Sequence, residues 1–383
     1  MDEALWVDEL YKAFWRTLPG MLHAEAQGLA HTLGLAPSRD VPWSAVFRNE
    51  FTLAAPALLA EAMPGVRGAT VQDALLAHVL AVIEAFGTDR IHDAQVRPTW
   101  QLEAVLAHAR RARDEALRRV APGVDDPAID FARADEATLL AIGAERALLA
   151  SGEPAGFSRY YALSLAKQSV GFPASIALAH AAGWTAAQRE VLSRMLSSVW
   201  LGLQLHDDVM DWQDDYQRGG AWAVVLASEL RSRAHGEPDV GDVDDVRGVG
   251  DGDDDAARGQ SRAPGGAHRR GAVAYGPLGT PPWGIAATPK AQGEPPASSA
   301  PSSLIPVRRM VLDAGVLGVM LDGERRCFRA ARRRADVLGA RRVAAWAEGR
   351  EVQAQELARC EAESPGFANR AHALKSWAKA VLA

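Results

Sequence analysis

Between Trp200 and Tyr216 the chain runs from an apolar start (Trp-Leu-Gly-Leu-Gln-Leu) into an acidic end (His-Asp-Asp-Val-Met-Asp-Trp-Gln-Asp-Asp-Tyr). Read as one helix of about 3.6 residues per turn, it places Gln204, Asp207, Asp208, Asp211 and Asp215 in a narrow stripe. Asp208, Asp211 and Asp215 repel one another on that stripe unless a cation sits among them. Carboxylates and water are the ligands Mg²⁺ prefers, commonly together with substrate phosphates. Upward the stripe continues through Ser197, Trp200 and Leu201, so the helix suits a ligand that is anionic at one end and greasy at the other. The competing reading is a solvated acidic helix end. Acids on an outward face, however, would not ordinarily follow Gln204 in phase with an apolar stripe.

Two further stretches could serve the same site. A helix is expected from Thr70 to about Gln95, with Thr70 as N-cap and Asp73 as a capping-box acid. Near its end Asp89 and Asp93 fall one turn apart, with Phe86 above them on the same stripe. A surface ion-pair patch of Asp89, Arg90 and Asp93 is the plainer alternative. Farther on, Phe157–Pro173 reads as a helix on which Tyr160, Ser164 and Lys167 share a face, with a kink or break at Gly171 and Pro173. A lone lysine on such a face needs an anion or water opposite it, unless it merely snorkels to the surface.

These residues carry a family resemblance. Leu201-Gly-Leu-Gln-Leu-His-Asp-Asp-Val-Met-Asp211 resembles the second aspartate-rich motif of trans-prenyl diphosphate synthases and related class I terpene synthases. The Asp89/Asp93 helix looks like a worn form of the first such motif, without its adjacent aspartates. The Lys167 helix resembles the one that offers a lysine to the substrate diphosphate before a bend. The resemblance spans residues 40–235, and the C-terminal helices agree in type only.

Composition agrees with a large folded protein. The chain has 383 residues, 48% of them hydrophobic, and a net charge of -6. That charge lacks the basic footprint of a nucleic-acid binder. Cys327 and Cys360 have no metal-type spacing and read as ordinary thiols in a reducing compartment. No signal peptide and no apolar run of transmembrane length stand out, so a cytoplasmic address is expected.

The elements needed to position the acids are helices throughout. Helices are expected over residues 2–18, on to about Leu35, from Trp43 to Met63, from Thr99 to Arg119, over 125–150, from Ala186 to Tyr216 and from Trp222 to Arg233. Arg110, Arg111, Arg113, Arg118 and Arg119 read as a solvated face, and the run Arg325–Arg334 reads as solvent-facing as well. Between Gly236 and Pro306, 23 of 71 residues are Gly or Pro with no apolar period, the composition of a disordered insert. Its abruptness also fits an altered reading frame, which mass spectrometry of native protein lacking these peptides would reveal. Helical periodicity then resumes and closes with a helix over Ala371–Leu382. The expected fold is all-α: a multi-helix bundle around a central cavity, with residues 1–235 and 307–383 forming one domain around the 236–306 insert.

The resemblance implies metal-assisted ionisation of an allylic prenyl diphosphate. Asp207, Asp208 and Asp211 would be catalytic, and together with Asp215, Asp89 and Asp93 would hold Mg²⁺. Lys167, Gln204, Arg97 and Arg218 would meet the diphosphate. Phe86 and Trp200, with Val79, Val82, Leu201 and Leu203, would line the hydrocarbon. The cation would then cyclise or be quenched, as in a terpene synthase, or alkylate a second diphosphate, as in a chain-elongating polyprenyl diphosphate synthase. The first is favoured because only Arg48 and Arg97 stand where the elongating enzymes carry basic clusters. The Asn/Ser/Glu metal motif of many terpene synthases is absent too. A non-catalytic partner subunit and an HD-type metal phosphohydrolase using His92-Asp93 and His206-Asp207 are the other readings. Homodimers are common in the resembled superfamily.

Overall fold

The computed structural model describes residues 3–47, 49–92, 94–125, 129–234 and 304–370. Arg48, Asp93, residues 236–303 of the expected insert and the expected helix over 371–382 lie outside them. All regular structure among the described residues is helical, in agreement with the all-α expectation.

In chain order the helices are α1 (Glu3–Arg16), α2 (His23–Gln27), α3 (Leu29–Thr32), α4 (Trp43–Val46), α5 (Phe51–Leu59), α6 (Gly68–His92), α7 (Trp100–Val120) and α8 (Phe131–Ser151). They are followed by α9 (Phe157–Lys167), α10 (Pro173–Ala181), α11 (Ala186–Met210), α12 (Trp212–Arg218), α13 (Trp222–Ala234), α14 (Leu304–Asp313), α15 (Val316–Leu338) and α16 (Arg341–Glu363). Helix α14 begins at Leu304, so the last three residues of the expected insert are already helical.

Several starts follow local chemistry. The Thr99 hydroxyl accepts from the Leu102 amide at 3.2 Å to begin α7. Helix α11 opens on a full capping box, Thr185 with Gln188, which satisfies two otherwise orphan donors at once. The break expected at Gly171 and Pro173 is present: a 3₁₀ turn over Ser169–Gly171 separates α9 from α10, and Pro173 opens α10.

Other expectations are corrected. Thr70 is not an N-cap, because α6 already starts at Gly68. The helix expected to reach Leu35 is divided at Gly28, where a Cβ would run into the Arg39 side chain. The one expected from Trp43 to Met63 is interrupted by Phe47 in an extended conformation, φ -95° and ψ 131°. The single acidic helix ends at Met210; Asp211, with φ -118° and ψ 11°, separates it from α12.

Two arginine readings also change. Arg113, assigned to a solvated face, is 1% exposed and ion-paired. In the run Arg325–Arg334, Arg325 and Arg326 pair with Asp322, Arg329 with Glu351, and Arg332 with Glu348 and Glu351. Arg334 donates to Ser198 Oγ on α11 at 2.9 Å. Much of that run ties α15 to its neighbours.

Helix α11 packs along α15, and α15 along α16, while α6 packs on α5 and α7. Helix α10 touches α5, α6, α7 and α11 and so joins the two groups, and α9 lies between α8 and α11. Among the described residues α6 is the one helix long and apolar enough to cross a membrane by length and composition, unlike the sequence expectation; 61% of its most apolar window is buried inside this chain. That burial is what a core helix shows.

The α9–α10 break brings backbone against Trp200. A Cβ at Gly171 would overlap the indole, closer than packed atoms approach. Gly171→Ala is therefore expected to cost about 1–3 kcal/mol by overpacking. Gly143, on the exposed face of α8 with open space around it, should gain up to about 1 kcal/mol when changed to Ala. Urea denaturation of the two variants checks the contrast; equal effects would contradict this packing.

Candidate functional site

Asp208 sits where α11 passes α9, and only 8% of it is exposed. Both of its oxygens are engaged. The Tyr160 hydroxyl donates to Oδ2 at 2.6 Å, and Gln204 Nε2 donates to Oδ1 at 2.9 Å. Gln204 is held in turn by Gln168 Nε2, 2.8 Å from its Oε1. Burial, with repulsion from Glu145 and Asp207, pushes the Asp208 carboxyl up to about 8, against the pull of the Tyr160 hydrogen bond and of Lys167.

The other acids take different positions. Asp207 is exposed at the end of α11. Asp211 is partly buried, and its Oδ1 has no hydrogen-bond partner among the described residues. Burial and the charges of Asp207, Asp215 and Asp208 push Asp211 up to about 9. Asp215 pairs with Arg218 at 3.0 Å; burial and Asp207 still raise it to about 6. The charges of Asp207, Asp208 and Asp215 all act on Asp211, although the helix break places Asp215 on α12.

Asp89, at the end of α6, shares this neighbourhood. Its charge acts on Lys167, Arg90 and Arg146. Arg90, lowered chiefly by burial and then by Arg218, feels both Asp89 and Asp207. Charged groups at the ends of α6, α9, α11 and α12 therefore act on one another.

Lys167 is not a lone cation. Its Nζ lies 2.5 Å from Glu145 Oε2. Burial alone would lower the ammonium, but Glu145, Asp89 and Asp208 outweigh it, and Lys167 is raised. The second Glu145 oxygen accepts from Trp222 Nε1 at 2.6 Å, and Trp222 meets the Tyr160 ring edge-on at 5.0 Å. Glu145, Trp222 and Gln168 were not signalled by motif spacing; a buried Glu on an apolar face of α8 was the one available hint.

The remaining candidates divide. Phe86 packs on Phe47 at 5.0 Å, while Val79, Val82 and Leu201 are buried in the cores. Trp200 is buried against Phe51, 6.1 Å away edge-on. Arg97 is exposed beyond the end of α6. His206 points to α15, where its Nδ1 lies 3.1 Å from Glu324, so it does not join Asp208.

Whether these residues suit Mg²⁺ turns on donor chemistry. Among the described residues no three His, Cys, Asp or Glu side chains form a ready-made cage. Mg²⁺ that keeps waters and substrate phosphates needs only one or two carboxylates. The buried, unpartnered Oδ1 of Asp211, flanked by Asp207 and Asp215, is such a donor set.

No protein-family model, curated protein or solved structure matches the chain.

Proposed function

We propose that this chain is a Mg²⁺-dependent, class I terpene synthase-like enzyme that ionises an allylic prenyl diphosphate, the resulting carbocation cyclising or being quenched. What supports this reading is the cluster of opposite charges at the ends of α6, α9, α11 and α12, where Asp89, Asp207, Asp208, Asp211 and Asp215 act on Arg90, Lys167 and Arg218. Acids alone would suit a cation and bases alone an anion. Both together suit a metal-bound diphosphate.

Asp207, Asp208, Asp211 and Asp215, with Asp89 at the end of α6, would hold Mg²⁺, which would supply charge neutralisation of the leaving diphosphate. Lys167, Arg90 and Arg218 would bind its remaining oxygens. Glu145 holds the Lys167 ammonium in place, and Arg218 is tethered to Asp215. Phe86 and Trp200 belong to the apolar side, where water is excluded from a reactive cation.

The test is incubation of purified protein with MgCl₂ and allylic diphosphates of graded length, with and without isopentenyl diphosphate. Products and released diphosphate are followed. Hydrocarbons or alcohols that need no isopentenyl diphosphate are expected. Asp211→Ala should lower the rate by at least about 100-fold, the scale of one lost transition-state contact. Longer diphosphates formed only with isopentenyl diphosphate would replace this reading with chain elongation. Turnover of phosphomonoesters alone would replace it with a hydrolase, and a folded protein inert to every prenyl diphosphate would point to a partner subunit.

A further inference from the structure

Tyr160 is fully buried, and its hydroxyl reaches across from α9 to Asp208 on α11. Its ring cannot easily turn away. One edge meets Trp222 at 5.0 Å, and Tyr161 lies 5.5 Å off. Trp222 is itself pinned by its hydrogen bond to Glu145, which also holds Lys167. From the other side Gln204 holds the second oxygen of Asp208 and is held by Gln168.

We infer that Tyr160 is a positioning residue: together with the Gln168–Gln204 relay it fixes the orientation of the Asp208 carboxyl, and through it the ligand-binding set at the end of α11. This rests on the reading under Proposed function. A carboxylate oxygen that accepts one hydrogen bond keeps a further lone pair. With one donor on each oxygen, the carboxyl plane of Asp208 is set, and the free lone pairs keep one direction. Groups that orient a metal-binding carboxylate in this way typically govern metal affinity by about 10- to 100-fold. Tyr160 touches neither substrate nor metal in this scheme; it acts only through Asp208. The same network orders the lysine, because the wall that stops the Tyr160 ring is the tryptophan that fixes Glu145.

Tyr160→Phe keeps the ring and its contact with Trp222 and removes only the donor. The readout is the thermal shift of the full-length protein titrated with MgCl₂ in the presence of inorganic diphosphate. Wild type should be stabilised in a saturable way. In Tyr160→Phe the half-saturating Mg²⁺ concentration should rise by about 10- to 100-fold, with activity partly regained at high Mg²⁺. Should Tyr160→Phe not fold, Gln168→Leu removes the outermost donor and should shift the same half-saturation upward by a few-fold.

A variant with a lower Tm but an unchanged Mg²⁺ half-saturation would make the hydroxyl purely structural and overturn the inference alone. A wild type that shows no Mg²⁺-dependent shift with diphosphate would overturn the underlying reading, and this inference with it.

Discussion

In metal-free buffer, Asp208→Asn is expected to be more stable than wild type at about pH 9 and close to it at about pH 5. Folding raises this carboxyl from its ordinary value of 3.8 up to about 8, chiefly because burial disfavours its charged form. Asp211, up to about 9, and Asp215, up to about 6, move in the same direction. A group raised on folding contributes stability that is complete below its unfolded value and is lost as pH rises through its folded value. All three acids therefore make the metal-free protein less stable across the window from about pH 4 to about pH 9. A tenfold change in proton affinity on folding is worth about 1.4 kcal/mol, so the Asp208 contribution is on the order of a few kcal/mol.

Asparagine cannot ionise, while its oxygen can still accept from Tyr160, and the Gln204 and Gln168 amides can turn to follow. The measurement is Tm against pH in EDTA for both proteins. A wild type whose Tm rises from about pH 6 to about pH 9, or a variant with the same slope, would contradict the burial of this acid. Added Mg²⁺ with diphosphate should flatten the wild-type slope, because a bound cation favours the ionised acids. Asp208→Asn should thus be the more stable protein in metal-free alkaline buffer and the less active one with Mg²⁺, the usual exchange between stability and function.

Periodicity served well where a helix depends on its own residues. The starts of α7 and α11, the break between α9 and α10, and the one-turn pairing of Gln204 with Asp208 were legible because cap, proline and turn all act within a few positions. It failed where the deciding partner is remote. Arg113 leaves its arginine-rich face for Asp135, 22 positions on. Tyr160 finds Asp208 across 48 positions, and Trp222 finds Glu145 across 77.

The end of α11 is the most instructive case. Asp211 stands where the repeating pattern continues, yet the helix stops there. Asn369, far along the chain, donates to the carbonyls of Val209 and Met210 at 3.3 Å and accepts from Trp212 at 2.7 Å. Those carbonyls lack partners at a helix end, and a distant side chain supplies one. Spacing could name the acids but not say that Asp211 turns out of line with them, leaving its Oδ1 unpartnered.

Arg113→Ala should produce the largest loss of stability of any single change considered, about 3–5 kcal/mol. The side chain is 1% exposed. It grips Asp135 with two hydrogen bonds of 2.9 and 2.8 Å, reaches Asp114 at 2.9 Å and Glu84 at 3.4 Å, and lies over the Phe131 ring at 4.4 Å. Truncation leaves Glu84, itself 3% exposed, with Arg110 as its remaining charged partner, and it opens a cavity beside Phe131. Removing one member of a buried charge network costs more than the network contributes, because the other members stay buried. Arg119→Ala on the same helix is the control. It breaks an ion pair with Asp73 whose side chains are 52% and 25% exposed, and should cost at most about 1 kcal/mol. Urea denaturation should show the Arg113 midpoint falling with little change in slope.

The loss should also reach the site. Glu84 accepts from Thr88 one turn on, and Asp89 is the next residue, so the Arg113 network holds the end of α6 that carries Asp89. Hydrogen exchange in Arg113→Ala should accelerate first over Glu84–His92, while the α11 amides before Asp207 keep their protection. Uniform acceleration across both helices would mean that Arg113 supports the fold as a whole and has no special hold on the acid-bearing end of α6.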